Sequence, residues 1–309
     1  MAIQSLQTTA GAKGGTKQMN LRGLTIVVVI CLVWAFNFIA GAKGMQQFSP
    51  LMFMVMRFAL LLALTLPFLR LPPAGQWFRL IAAALSIGSL HFCFMFWALQ
   101  RSEDVSSIAI IQQMYVPIAV LLAIFMLGES IRWRTILAIG LAFTGVLVLG
   151  FDPQVLSQPD ALALALISAF FQALGSIYMR SIAGVSTLNF QAWTAIISLP
   201  LLLSLSLLLE SGQLASMQTA EPLHWASIAF STIGASIIGH GLFYYMAQRY
   251  PIATFSPYLL MVPLFGVIFG MLIWGDRPGM RLMIGGALIL IGVLAITLRD
   301  RRKAKKLLR

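Results

Sequence analysis

The stretch "VPIAVLLAIFMLGES" (Val116–Ser130) has a near copy later in the chain, "VPLFGVIFGMLIWGDR" (Val262–Arg277). Each opens with Val-Pro, carries two small residues four apart, and ends an apolar run with Gly and an acid. Ala119 and Ala123 correspond to Gly266 and Gly270, and Gly128-Glu129 to Gly275-Asp276, all 147 positions apart. The likeness extends outward. "HFCFMFWALQR" (His91–Arg101) resembles "HGLFYYMAQR" (His240–Arg249), "SPLMF" (Ser49–Phe53) resembles "STLNF" (Ser186–Phe190), and Gly145 pairs with Gly292. The chain therefore divides into related halves, about 1–150 and 151–309, and a repeat of this length governs how the whole fold is read.

The 309 residues are 60% hydrophobic and 10% charged, with mean hydropathy +0.91. A soluble domain carries about 25% charged residues. Runs of roughly 20 apolar residues, each enough to cross about 30 Å of hydrocarbon, fall near 22–41, 49–69, 77–99, 104–127, 132–150, 159–180, 186–209, 222–248, 251–274 and 279–298. A β-barrel is excluded, because its strands alternate apolar and polar over about 10 residues. The expected fold is an all-α polytopic membrane protein, with ten transmembrane helices as two inverted five-helix repeats. Residues 1–21 read as a disordered cytoplasmic tail, 22–150 and 151–298 as the two repeats, and 299–309 as a basic cytoplasmic tail. The first apolar run is too long for a cleaved signal core. Cys31 and Cys93 fall inside spans and read as packing residues.

A net charge of +12 would suit a nucleic-acid binder, but its distribution points to a lipid bilayer instead. With the N-terminus in the cytoplasm, inner segments hold 16 Lys and Arg and outer segments 4, while seven of nine acids lie outside. An excess of Lys and Arg marks the cytoplasmic side, so both termini are expected there. The tail "RDRRKAKKLLR" flanks the last span as a stop-transfer segment or a contact for anionic lipid. Five spans per half is an odd number, so the repeated stretch ends in the cytoplasm at Glu129 and outside at Asp276. Inverted repeats recur in secondary transporters, which bind substrate near the midplane between the halves.

These features resemble a known group. Ten spans as five plus five, "LVWAFNFIAGAKGM" in the first, Pro followed by Gly-Glu at the end of the fourth, and Gly-rich fifth and tenth spans are similar to the drug/metabolite transporter superfamily, and within it to EamA-type exporters. The resemblance covers nearly all of the chain after residue 20. It implies a carrier in a bacterial inner membrane that exports amino acids or other small metabolites. Aromatic amino-acid exporters of that superfamily carry a His among aromatics in the third span, as His91, Phe92, Phe94, Phe96 and Trp97 do here. Asp276 departs from the more usual Glu.

Polar side chains inside a bilayer must face protein or a water-filled cavity. Thr232, Ser236, His240 and Tyr244 recur every four residues on one face of the eighth span, as do Ser168, Gln172 and Ser176 on the sixth. They line a cavity or bond between helices. His91 and His240 hold matching places in the halves and read as structural donors or as proton carriers. Gln112, Gln113 and Tyr115 lie just before Pro117, which can bend the helix; adjacent residues point about 100° apart, so at least one glutamine is expected to face the cavity. Trp34, Asn37 and Tyr258 complete the substrate-binding candidates. Arg57 either meets a substrate carboxylate or snorkels to the outer interface. Pro117, Ala119, Ala123, Pro263, Gly266 and Gly270 are the bending and packing positions, and "GGALILIG" (Gly285–Gly292) is a flat face for another helix or for a homodimer.

No Asp or Glu lies at mid-membrane, which argues against carriage of permanent cations, and Arg57 alone is too little basic charge for a phosphate ester. Neutral, zwitterionic or weakly anionic substrates fit, amino acids best, with other drugs or neutral aromatic metabolites as the alternative. No HExxH, GxSxG or P-loop motif is present, so neither catalytic activity nor a metal or other cofactor is expected.

Overall fold

The computed structural model describes residues 19–127, 133–152, 157–249 and 255–307. Among them there are helices and no strands. In chain order α1 is Leu21–Gly44 and α2 Pro50–Thr65. Next, α3 runs from Trp77 to Arg101, and α4 joins Val105–Ile111, Gln112–Met114 and Tyr115–Leu127. Then come α5 (Trp133–Gly150), α6 (Pro159–Arg180) and α7 (Thr187–Leu209). The last three are α8, composed of Pro222–Ala229, Phe230–Gly239 and His240–Arg249, then α9, composed of Ser256–Leu260, Met261–Phe269 and Gly270–Trp274, and α10 (Met280–Leu307). Seven of these are long and apolar enough to cross a bilayer, and the apolar parts of α5, α9 and α10 are shorter. A short helix, Gln213–Gln218, occupies the longest connection.

Helix starts follow local chemistry. Asn20 Oδ1 accepts from Gly23 N–H at α1 (2.9 Å) and Ser186 Oγ from Asn189 N–H at α7 (3.3 Å). Pro50, Pro159 and Pro222 occupy first-turn positions where no N–H is needed. Ser49 and Ser186, matched in the repeat, stand ahead of matched helices α2 and α7.

Packing relates the two halves. The pairs α2–α7 and α5–α10 join equivalent helices, while α1–α8 corresponds to α6–α3 and α1–α9 to α6–α4. The α5–α10 seam is the tightest. A Cβ on Gly145 would meet the Gly285 carbonyl oxygen and Ile289, and one on Gly292 the Ala138 oxygen. The "GGALILIG" face, open in the sequence to a neighbouring helix or a second copy, is thus occupied by α5 of the same chain.

The last helix is longer than the span it contains. The helix of the last span continues through the basic tail to Leu307, since Ala, Lys, Arg and Leu favour helix and cations suit its C-terminal end. Residues 1–18, Glu129 and residues 308–309 lie outside the described residues.

Candidate functional site

In two places the helices that face one another at the centre of the molecule depart from α geometry. Residues Ala84–His91 of α3 and Phe230–Gly239 of α8 are wound as π-helix, and each stretch runs into one of the matched histidines. Single π turns recur at functional sites because the wider turn re-aims side chains. Here side-chain bonds follow the longer repeat: His240 Nδ1 lies 2.9 Å from Ala235 O, and Ser236 Oγ donates to Ser231 O at 3.2 Å, both five residues back. The other departure precedes the repeated prolines. Gln112–Met114 and Ser256–Leu260 are tight 3-10 turns ahead of Pro117 and Pro263. Each proline lacks an N–H for the turn before it. The N–H of Tyr115 turns to the carbonyls of Gln112 and Gln113, and that of Met261 to those of Tyr258 and Leu259.

Between these segments lies a cavity of about 140 Å³. Trp34, Asn37, His91, Gln112, Gln113, Tyr115, Gln172 and His240, chosen from the sequence, all line it, as does Arg57. Both glutamines reach it. Of the aromatic group around His91 only Phe92 does, since Phe96 packs on Phe53 and Phe94 stacks on Phe171. Periodicity alone did not single out Phe38, Ile87, Met95, Ala235, Leu259 or Val262, which supply apolar wall. Their apolar character gave no signal in a chain where apolar residues are the rule.

Tyr258 is placed apart from the others. It is 38% exposed and absent from the wall, and only its carbonyl is engaged, by Cys31 Sγ at 3.5 Å. Leu259 and Val262 line the cavity from α9, while the 3-10 winding of Ser256–Leu260 breaks the α register that would put Tyr258 on the face of Val262. The side chain of Tyr244 lies outside the described residues. The polar stripes divide their work: Thr232 Oγ1 donates to Arg57 O and Ile228 O, and Ser176 Oγ bonds back to Ala173 O.

Ser168 is the hub of one wall. Its hydroxyl donates to the His91 carbonyl (2.8 Å) and accepts from Gln112 Nε2 (2.7 Å). His91 Nδ1 is 2.8 Å from the same oxygen and 3.2 Å from Ser168 O, both acceptors, so Nδ1 carries the proton and Nε2 is left as an acceptor. His240 has the same tautomer, with Nδ1–H directed to Ala235 O, and its ring stands 5.1 Å from that of Trp34. A serine beside a histidine suggests a nucleophile and its base, but this serine proton is committed to a backbone oxygen.

Arg57 is 1% exposed, so it does not snorkel to the interface. Its guanidinium lies over the Phe92 ring (4.1 Å), and Nη2 donates to Ser236 Oγ (2.9 Å). Asn37 Oδ1 accepts from Ser231 Oγ (2.8 Å), and the Ser231 carbonyl accepts from Ser236 Oγ.

At the end of the molecule where Asp276 and Glu210 lie, two carboxylates tie helices together. Asp276 accepts from the N–H groups of Val105 (3.1 Å) and Ser106 (2.8 Å) and from Ser106 Oγ (2.5 Å), which caps α4 with the end of α9. Gly270 and Gly266 permit this approach: a Cβ at the first would run into the Asp276 carboxylate and Ser106, and at the second into Ala109. Glu210 caps α2 in the same way, through Ser49 Oγ (2.6 Å), Leu51 N (2.8 Å) and Met52 N (3.0 Å). Ala123 is buried and Ala119 half-buried.

The model of the EamA-like transporter family matches residues 21–151 and again 160–298. The chain belongs to the EamA-like transporter family. It is an integral membrane protein, and the two matches to one family model fall on the two halves found by repeat. Among curated EamA-like relatives, a "Probable amino-acid metabolite efflux pump" of Escherichia coli (strain K12) is 26% identical over 284 residues, covering 89% of this chain and 94% of its own. The protein of the same description from Salmonella typhimurium is 28% identical, over 87% and 92%. An "Uncharacterized transporter" of Archaeoglobus fulgidus is 25% identical, over 91% and 99%. A solved crystal structure superposes with a TM-score of 0.60 at 19% identity, covering 90% of this chain and 97% of its own, which shows a shared fold.

Proposed function

We propose that this chain is a secondary transporter of a bacterial inner membrane that exports amino acids or similar small metabolites by alternating access, and that it is not an enzyme. In this reading ten helices form two five-helix repeats of opposite topology, both termini are cytoplasmic, and the small-molecule substrate binds between the repeats. One observation supports it: equivalent elements of both halves build one cavity, His91 ending one π segment and His240 following the other, and α4 and α9 each tightening to a 3-10 turn before a matched proline. A site made twice, at the seam between inverted halves, is how a carrier exposes the same ligand to either side in turn. With both termini cytoplasmic, the ties at Asp276 and Glu210 lie on the outer side, which supports reading this conformer as closed there. The names of the two efflux relatives support the outward direction. A second reading, export of neutral aromatic compounds, is favoured by Trp34, Phe38, Phe92 and Tyr115 in the wall.

The test is flux of labelled L-amino acids into liposomes holding the purified full-length protein, with and without a pH gradient. Saturable flux absent from empty liposomes is expected. No flux of any amino acid under either condition rejects the amino-acid reading, and flux of neutral aromatic probes alone would establish the second.

A further inference from the structure

Two buried groups of the cavity are unsatisfied in complementary ways. Arg57 Nε and Nη1 have no acceptor, and Gln112 Oε1 has no donor. The orientation of the Gln112 amide follows from Ser168, whose hydroxyl proton is spent on His91 O and which can therefore only accept from Nε2. An arginine stays protonated in proteins, and a buried, unpaired charge is strongly destabilising. Among the described residues no carboxylate pairs with Arg57, whose Nε and Nη1 have no partner; the ion pair Arg101–Asp160 lies at the surface. The stack on Phe92 and the bond to Ser236 hold the guanidinium plane still while its remaining N–H bonds stay open.

We propose that Arg57 recognises the carboxylate of the transported ligand, that Gln112 Oε1 accepts from its ammonium group, and that the substrate class is therefore small zwitterionic amino acids with a free α-carboxylate. This rests on the transporter reading and narrows it. The ligand supplies the anion the fold withholds, and a guanidinium matches a carboxylate in plane and in paired donors. Size adds a limit. A cavity of about 140 Å³ is close to the roughly 150 Å³ hole that accepts benzene in an engineered core, so the whole ligand, carboxylate and ammonium included, is held to about the size of a single ring.

Binding and transport are measured separately on the full chain. Purified protein in lipid nanodiscs is titrated with the protein L-amino acids and with their α-carboxamides, followed by ligand-induced shifts in Tm. The expected result is that small amino acids bind at least tenfold more tightly than their carboxamides. Arg57→Gln should erase that preference, and Arg57→Lys, which keeps charge without the planar fork, should restore part of it. Equal affinity for acid and carboxamide, binding of no amino acid, or an acid preference that survives Arg57→Gln overturns the proposal. If Arg57→Gln fails to fold, the wild-type comparison of acid with carboxamide still decides. Amino acids that bind but do not cross proteoliposomes refute the carrier reading and leave Arg57 its role. Carboxamides carried as well as the acids refute the role and leave the carrier.

Discussion

Asp276→Asn weakens the tie between α9 and α4, which the proposed orientation places on the outer side. The carboxylate accepts from Val105 N–H, Ser106 N–H and Ser106 Oγ, and it is buried. A hydrogen bond to a charged group contributes about 1.5–3 kcal/mol, and the neutral amide keeps one acceptor oxygen while presenting an NH₂ to donors it cannot satisfy. The closed form should lose about 2–3 kcal/mol relative to any form in which the tie is already broken, which shifts that equilibrium roughly 30- to 160-fold. The assay places a cysteine at Met95, in the cavity wall, in a background where the buried Cys31 and Cys93 are replaced, and follows labelling by a membrane-impermeant thiol reagent added outside. Labelling should be slow with Asp276 and faster by tens of fold with Asn, at unchanged protein level in the membrane. An unchanged rate in Asp276→Asn would refute the assignment of this contact as the outer closure.

Two further outcomes follow from packing and burial. Gly145→Val should lower Tm by several degrees, because its Cβ meets Gly285 O and Ile289 in a seam with no slack, whereas Gly140→Ala, which meets nothing within 4 Å, should be neutral or stabilising by up to about 1 kcal/mol; equal effects of the two would show that the seam is not close-packed. Asp104, the residue just ahead of α4, caps Ser107 N–H (2.6 Å), but burial holds its carboxyl above the ordinary 3.8, with Asp276 and Asp152 pushing the same way against the lowering by Ser107. The folded chain then keeps this proton to higher pH than the unfolded chain, so the contribution of Asp104 to stability falls as pH rises from about 4 through the raised value. Asp104→Asn retains a good cap and should remove that slope. A Tm difference between wild type and variant that does not change with pH contradicts it.

How far the sequence reaches is clearest from particular residues. The apolar runs located the helices within a few residues, because hydrocarbon thickness and the cost of bare peptide groups leave few alternatives. Likewise, the scarcity of polar residues in those runs made Trp34, Asn37, His91, Gln112 and His240 conspicuous, and all reach the cavity. The repeat located the matched prolines and histidines without any coordinates. Rotation of each helix about its axis was another matter, for it depends on winding and on neighbours far away in the chain. The 3-10 turn at Ser256–Leu260 turned Tyr258 outward, and the fit of Gly145 to Gly285 assigned "GGALILIG" to α5. For Arg57 the sequence left two destinations open, and Phe92 and Ser236 chose between them from α3 and α8. Composition and periodicity fix which segments enter the membrane, since that is a transfer equilibrium of each segment with the bilayer; which donors remain unpaired at the centre is a property of the assembled helices, and it is set only when both halves close on the same cavity.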